Sequence, residues 1–118
     1  MALRMRADRQ SPHTAAIVAS GALMPLVSTL SSPDFLCQRY AAMGIGNLAT
    51  NLANQEKILQ EGALQPLMSL ANLDNGDKET QRYAVFSLTN VCATRVNHPQ
   101  VVECGVVKLF ARLMEVTN

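Results

Sequence analysis

The stretch Gln38-Arg39-Tyr40-Ala41, followed by Asn47, returns later in the chain as Gln81-Arg82-Tyr83-Ala84, followed by Asn90. In both copies the asparagine lies nine residues after the glutamine. At 3.6 residues per turn, this spacing places the tyrosine, the residue three positions later and the asparagine on one helical face. The opposite faces carry the apolar residues Ala41, Ile45 and Leu48 in the first copy and Ala84, Leu88 and Val91 in the second. The pattern predicts two amphipathic helices, each with an apolar back and a polar and aromatic front.

A glycine-centred element repeats in step with these helices. Gly21-Ala22-Leu23-Met24-Pro25-Leu26 matches Gly62-Ala63-Leu64-Gln65-Pro66-Leu67, and Gly105-Val106-Val107-Lys108-Leu109-Phe110 follows the same outline. The three glycines lie 41 and 43 residues apart, a period that is typical of stacked helical units. Each glycine is expected to form a sharp turn between two helices, because glycine tolerates a positive φ.

The period divides the chain into four segments. We expect residues 1–12 to be the remnant of a preceding unit's last helix, residues 13–53 and 54–96 to be three-helix units, and residues 97–118 to be a partial unit without its third helix. Since stacked units bury apolar surface against their neighbours, we expect uncovered apolar residues at both ends of the array. These are Leu3 and Met5 at one end and Val107, Phe110 and Leu113 at the other. The chain is therefore expected to be a fragment of a longer array or to associate with itself through its ends.

Helix boundaries follow from capping and turn residues. In the first unit we expect a short helix over residues 13–20 and a third helix that has Ser32 as its N-cap and runs to about Asn51. In the second unit, the third helix is expected from about Glu79 to Thr94.

Composition limits the function classes. Hydrophobic residues make up 48% of the 118 residues and charged residues 16%, which fits stacked helices and excludes a disordered chain. The net charge of +1, without clustered Lys and Arg, gives no support for binding nucleic acid or an anionic membrane. No apolar run approaches 18 residues and no basic-then-apolar leader is present, so neither membrane insertion nor a signal peptide is predicted. We expect a cytoplasmic protein, with a nuclear location as the alternative.

No catalytic, metal or cofactor site is predicted. The three cysteines, Cys37, Cys92 and Cys104, lack zinc-site spacing and are expected to be reduced and largely buried thiols. His13 and His98 lie beside expected helix starts without a partnering cysteine or carboxylate arrangement, which indicates a surface or capping role. The chain is therefore not expected to be an enzyme or to need a cofactor.

The combined pattern resembles the armadillo repeat. Gly62-Ala63-Leu64-Gln65-Pro66-Leu67 and Gly46-Asn47-Leu48-Ala49 carry the resemblance, which extends over about residues 13–118. It implies an all-α fold, a right-handed α-solenoid of about two and a half repeats. HEAT repeats share the period, but they usually use two helices and lack the ending with asparagine. Within the family, the sequence is more similar to vacuolar and junctional adaptors of the catenin-like kind than to nuclear import receptors.

The resemblance also implies a function. Armadillo proteins line a concave groove with their third helices, and the asparagine there bonds the main chain of an extended peptide, since an amide offers both a donor and an acceptor. The chain is then a non-enzymatic scaffold or adaptor for a partner protein. The implied peptide-binding residues are the amides Asn47 and Asn90, the apolar walls Tyr40, Tyr83, Met43 and Phe86, and Arg39 and Arg82 at the groove edge for acidic ligand groups.

Three alternatives stay open. The family's asparagine can bond the backbone of the neighbouring repeat in place of a ligand. Importin-alpha-like receptors place a tryptophan four residues before the asparagine, whereas this chain has Met43 and Phe86 there and no tryptophan. Recognition of nuclear import signals is therefore a less favoured reading. Finally, the chain could be an assembly subunit that associates through exposed solenoid ends.

Overall fold

The computed structural model describes residue 18 and residues 21–72, 77–95 and 98–117. Within these ranges the chain forms seven α-helices and no strand. The helices are α1 (Leu23–Thr29), α2 (Phe35–Leu48), α3 (Leu52–Gln60), α4 (Leu64–Ala71), α5 (Lys78–Cys92), α6 (Pro99–Cys104) and α7 (Val106–Thr117). The helix expected over residues 13–20 lies outside the described residues except for Val18, and the remnant expected over residues 1–12 lies wholly outside them. None of the helices in the described ranges is long and apolar enough to span a bilayer.

The predicted glycine turns are confirmed. Gly21, Gly62 and Gly105 have φ values of +89°, +78° and +76°, a region that residues with a Cβ rarely enter. Helices α1, α4 and α7 each begin within two residues after one of these glycines. Pro25 and Pro66 each lie in the first turn of their helix, where a missing N–H breaks no bond within the helix. The glycine element therefore joins the first and second helices of a unit.

The start of the first third helix differs from the prediction. Ser32 is not the N-cap of α2, because Asp34 caps it and accepts from the N–H groups of Leu36 at 2.8 Å and Cys37 at 3.4 Å. The Ser32 hydroxyl instead accepts from the N–H of Asp34 at 3.1 Å. A carboxylate is the better cap because it also interacts favourably with the helix dipole.

The ends of both third helices also differ from the prediction. Helix α2 ends at Leu48 and not near Asn51, because Asn51 caps the next helix and accepts from the N–H of Ala53 at 3.0 Å. Helix α5 ends at Cys92, two residues before Thr94. The residues that directly follow the two helices, Ala49 and Thr50 after α2 and Ala93 and Thr94 after α5, lie in turns.

The third helices α2 and α5 lie side by side and form the most extensive helix pair of the described chain. Helix α5 also packs against α4, and α2 packs against α1. The apolar backs predicted for the two helices are buried in one continuous core: Ala41, Ile45, Leu48, Ala84, Leu88 and Val91. The described chain is thus an all-α array of stacked helical units, consistent with an armadillo solenoid.

Two predictions about exposure are corrected. On α7, Val107 is exposed as expected, but Phe110 and Leu113 are partly buried because they pack against the core beside Leu109. Among the cysteines, Cys37 is exposed and therefore not a buried thiol.

The other two thiols fit the expectation better. Cys92 is buried and Cys104 is partly so. Burial, with a smaller contribution from Cys104, raises the pKa of the Cys92 thiol to about 11. Burial also raises the pKa of Cys104.

Candidate functional site

A groove lies between the front faces of α2 and α5. Its larger cavity has a volume of about 500 Å³ and is lined by Met43, Asn47, Glu79, Arg82, Tyr83 and Phe86. Five of these six residues were predicted for peptide binding, and Glu79 was not. The predicted residues Arg39, Tyr40 and Asn90 do not line this cavity.

A second, smaller cavity continues the groove toward the C-terminal end of α5. It has a volume of about 230 Å³ and is lined by Ala49, Thr50, Leu52, Gln55, Phe86, Asn90 and Ala93. Phe86 lines both cavities, so its partly exposed ring separates the two spaces.

The two asparagines of the repeated motif have different surroundings. Asn47 is exposed at the larger cavity, and its side-chain amide has no hydrogen bond with any other residue that the structure describes. Asn90 is half-buried, and its Nδ2 donates to the carbonyl oxygen of Gly46 at 2.9 Å. The Asn90 amide therefore links α5 to α2, as in the alternative where the asparagine bonds the neighbouring repeat.

Gly46 allows α2 and α5 to approach closely at the point where Asn90 binds. A Cβ at this position would lie 2.5 and 2.7 Å from two ring atoms of Phe86 and 3.2 Å from the Cα of Ser87. The absent side chain thus makes room for the Phe86 ring and brings the Gly46 carbonyl within reach of Asn90. Gly44 differs, because a Cβ there would meet only Leu26 at 3.7 Å.

The two arginines of the motif also differ. Arg39 forms an ion pair with Asp77, the N-cap of α5, at 3.4 Å, and its side chain is 25% exposed. Arg82 pairs with Glu79 on its own helix at 3.1 Å and is 78% exposed. Arg39 therefore joins consecutive units, whereas Arg82 faces solvent at the groove.

Asp77 is held in its charged form. It accepts from the hydroxyl and the N–H of Thr80 as well as from Arg39. The Thr80 hydroxyl lowers the pKa of this carboxyl most, the Thr80 N–H and Arg39 lower it further, and partial burial opposes them. The Asp77 carboxylate thus both pairs with Arg39 and caps α5.

The tyrosines of the motif are placed differently as well. Tyr83 packs partly against the core and lines the larger cavity. Tyr40 is exposed, together with Phe35 and Leu36 in the first turn of α2, and lies outside both cavities. Met43 and Tyr83 thus form opposite walls of the larger cavity, one from each helix.

Sequence reasoning missed a buried amide at the smaller cavity, where it holds the end of the groove in place. Gln55 is buried, and its Nε2 donates to the carbonyl oxygens of Ala49 at 3.1 Å and Asn90 at 2.9 Å. Its Oε1 accepts from the Thr94 hydroxyl at 2.9 Å and from Arg95 Nε at 3.2 Å. The sequence did contain a sign that Gln55 is buried, since it lies four residues before the apolar Leu59 and therefore on the inner face of α3.

His98, for which a surface or capping role was predicted, is the N-cap of α6. His98 accepts from the N–H of Gln100 at 3.2 Å through Nδ1, which confirms the capping role, and its Nε2 lies 3.5 Å from Glu56. Within the described ranges no group of three or more His, Cys, Asp or Glu side chains is arranged to hold a metal ion.

Comparisons with known proteins place part of the chain in a family. Residues 10–50 match the family model of the Armadillo/beta-catenin-like repeat. The chain is also 34% identical over 92 residues to U-box domain-containing protein 18 from Arabidopsis thaliana. That alignment covers 75% of this chain and 13% of the relative, so the chain spans a small part of that protein's length. No solved structure matches the chain significantly.

The matched repeat contains α1 and α2, and the same glycine turn and third-helix motif return in α3 to α5. Residues 10–50 are therefore an armadillo repeat, and the chain that carries it is an all-α solenoid of the armadillo type.

Proposed function

We propose that this chain is a non-enzymatic scaffold that holds an extended peptide segment of a partner protein in the groove between α2 and α5. The observation that carries the proposal is the Asn47 amide, which is exposed at a cavity of about 500 Å³. A side-chain amide can donate to a peptide carbonyl and accept from a peptide N–H at the same time. One residue can thus set the direction and position of an extended peptide independently of the peptide's side chains.

The walls of the groove would select among peptides. Met43, Tyr83 and Phe86 give the larger cavity an apolar lining, which suits a large apolar side chain of the ligand. Arg82 lies at the same cavity and is largely exposed, so it can turn from Glu79 to a carboxylate of the ligand. Aromatic and arginine side chains of this kind often carry most of the affinity of an interface.

The other predicted residues have supporting roles in this proposal. Asn90 and Arg39 hold α5 against α2 through Gly46 and Asp77, so they position the groove. Tyr40, one helical turn before Met43, would contact a peptide that continues past the larger cavity.

The test begins with short peptides selected from a random display library on the immobilised full chain. The tightest peptide is synthesised with a fluorescent label, and its dissociation constant is measured by fluorescence polarisation. Asn47→Ala should weaken binding about tenfold, the effect of losing two hydrogen bonds of ordinary strength. Gln60→Ala removes an exposed amide on α3 and should leave the constant within about twofold. Equal affinity of the wild type and Asn47→Ala would refute the proposal.

A lysine-rich peptide in the same assay tests recognition of import cargo. Its lysine stems would meet Met43 and Phe86 in place of tryptophan, and Glu79 is already paired with Arg82. We therefore expect the lysine-rich peptide to bind more weakly than the selected peptide. The reverse order of affinities would favour the importin-alpha-like function.

A second candidate function, assembly through exposed helix faces, is supported by a separate observation. On α7, Val107 and Met114 are 57% and 65% exposed, although both are large and apolar. Light scattering from micromolar to millimolar protein tests self-association. A mass that stays at one chain throughout this range would exclude assembly of the chain with itself.

A further inference from the structure

Both ring nitrogens of His98 face a partner at the point where the second unit meets the helices that follow it. Its Nδ1 accepts from the N–H of Gln100 at 3.2 Å, and its Nε2 lies 3.5 Å from Oε2 of Glu56 on α3. The side chain is 21% exposed, so it is held between the two helices. His98 therefore caps α6 and connects it to α3 at the same time.

The cap requires one protonation state of the imidazole. A ring nitrogen accepts a hydrogen bond only while it carries no proton, so Nδ1 is unprotonated and the proton of the neutral ring lies on Nε2, which faces Glu56. The charged ring carries a proton on both nitrogens. Two donors, Nδ1–H and the N–H of Gln100, would then face each other. A charge on His98 and the cap that His98 gives to α6 thus exclude each other.

Helix α6 depends on His98 for its first turn. Pro99 follows the cap directly and has no N–H, so Gln100 carries the first N–H of the helix. That N–H donates to the His98 ring, and the N–H of Val102 donates to the His98 carbonyl oxygen at 3.0 Å. Rotation of the ring away from Gln100 therefore removes the side-chain acceptor of this turn.

Two charged groups face His98. Glu56 favours the charged ring through its Oε2. Arg95 opposes the charged ring, since its Nη1 pairs with Oε1 of the same carboxylate at 2.9 Å. The N-terminal end of α6 opposes it as well, because helix N–H groups carry partial positive charge there. The charged ring thus has a partner in Glu56, but not in the position that caps α6.

The other elements that pack against α6 add charge elsewhere. Helix α4 contains no titratable side chain. On α7, Lys108 and Arg112 line a cavity with Cys104, the last residue of α6. The remaining acidic side chains are exposed: Glu103 on α6 and Glu115 on α7.

We propose that His98 is a pH-sensitive switch at the joint between α3 and α6. The neutral ring caps α6, and the charged ring leaves the cap and pairs with Glu56, so that the first turn of α6 opens. Histidine is the side chain whose charge ordinarily changes between about pH 5 and pH 8, so the switch responds to pH within this range. The proposal goes beyond the scaffold function and does not depend on the groove.

NMR spectroscopy of the full chain at about pH 8 and about pH 5 tests the proposal. Long-range ¹H–¹⁵N spectra report the tautomer of the His98 ring, and the temperature coefficient of the Gln100 amide proton reports whether this N–H is hydrogen-bonded. We expect the Nε2–H tautomer and a hydrogen-bonded Gln100 N–H at the higher pH. At the lower pH we expect a charged ring and the coefficient of a solvent-exposed N–H. A hydrogen-bonded Gln100 at both pH values would overturn the proposal.

Two variants control for the other effects of pH. Asparagine is a good N-cap that does not titrate, so Gln100 in His98→Asn should stay hydrogen-bonded at both pH values. His13→Asn removes the other histidine of the chain and should leave the change at Gln100 as in the wild type. A change in His98→Asn as large as that in the wild type would overturn the proposal.

A third variant tests the partner of the charged ring. Glu56→Gln removes the carboxylate that favours the imidazolium, so the midpoint of the change at Gln100 should fall by about 0.5 pH unit. Glu61→Gln, an exposed carboxylate at the end of the same helix, should move it by less than about 0.2 unit. A midpoint that stays in place or rises in Glu56→Gln would overturn the pairing with Glu56 and with it the proposal.

Discussion

The two third helices, α2 and α5, carry the same Gln-Arg-Tyr-Ala motif and the same asparagine, yet a different residue of the motif contacts the neighbouring unit in each helix. In α2 the arginine is engaged with the next unit through Asp77, and Asn47 is open. In α5 the asparagine is engaged with the preceding unit through Gly46, and Arg82 is open. At the interface between α2 and α5, the first unit thus contributes its arginine and the second unit contributes its asparagine.

This difference separates residues that build the groove from residues that are free to act in it. Arg39 and Asn90 hold the two helices together, and Asn47 and Arg82 line the larger cavity without a partner on the other helix. The same motif residue therefore has a structural role in one unit and is available for binding in the other. The strongest test of this difference between α2 and α5 is a substitution that disturbs the contact between the two helices.

The largest effect is expected from Gly46→Ala. The new Cβ would collide with the Phe86 ring and press on the backbone at Ser87, so the ring or the two helices must shift, at a cost of about 1–3 kcal/mol. Gly44→Ala, where a Cβ meets ordinary contacts, should instead stabilise the chain by up to about 1 kcal/mol through helix propensity. Urea unfolding of both variants measures the difference. Equal stabilities would mean that the close contact at Gly46 does not exist.

The second largest effect on stability is expected from the difference between Asn90 and Asn47. Asn90→Ala leaves the buried carbonyl of Gly46 without its donor and should lower the free energy of unfolding by about 1 kcal/mol. Asn47→Ala removes an exposed amide from the same helical position and should change it by less than about 0.5 kcal/mol. Chemical denaturation compares the two. A loss at Asn47 as large as that at Asn90 would contradict the assignment of their roles.

A smaller effect should appear in the acid range. Because the pKa of Asp77 is lowered in the folded chain, its carboxylate stabilises the fold above the ordinary pKa near 3.8, and this contribution is lost as the pH falls through the folded pKa. The unfolding temperature of Asp77→Asn should therefore fall less steeply than that of the wild type below about pH 4. Arg39→Gln should flatten the curve less, since the Thr80 hydroxyl is the main cause of the shift. Parallel curves for the wild type and Asp77→Asn would contradict this account.

The smallest effect on stability is expected at Arg82. Its ion pair with Glu79 is exposed and lies within one helix, and such pairs contribute less than about 0.5 kcal/mol. Arg82→Gln should therefore unfold at nearly the wild-type temperature in a calorimeter, while Arg39→Gln unfolds at a lower one. A larger loss at Arg82 than at Arg39 would reverse the comparison.

The sequence predicted those parts of the fold that depend on local pattern. Helical spacing placed Ile45 and Leu88 in the core, and glycine at a fixed period marked the turns at Gly62 and Gly105. The cap of α2 was misassigned because Ser32 and Asp34 are both good capping residues, and only the backbone geometry separates them. Helix ends were placed too late because Asn51 belongs to the start of the next helix.

The roles of the site residues were harder to predict from the sequence than the fold. The motif identified Asn47 and Asn90 equally, and nothing within the motif distinguishes them. Their difference comes from the neighbour: Gly46 offers its carbonyl to Asn90, and Asp77 offers its carboxylate to Arg39. Such pairings join residues some 40 positions apart and depend on how closely two helices pack. Whether the chain is closer to catenin-like adaptors than to import receptors stays a prediction.

The central claim is that the Asn47 amide is free for a ligand and the Asn90 amide is not. Two-dimensional ¹⁵N NMR resolves the two side-chain NH₂ groups, assigned through the Asn47→Ala and Asn90→Ala variants, during titration with the peptide selected for the groove. We expect the Asn47 signals to shift with the peptide's saturation curve, while those of Asn90 stay in place and exchange slowly with solvent. Shifts confined to Asn90, with Asn47 unmoved at saturation, would contradict the account.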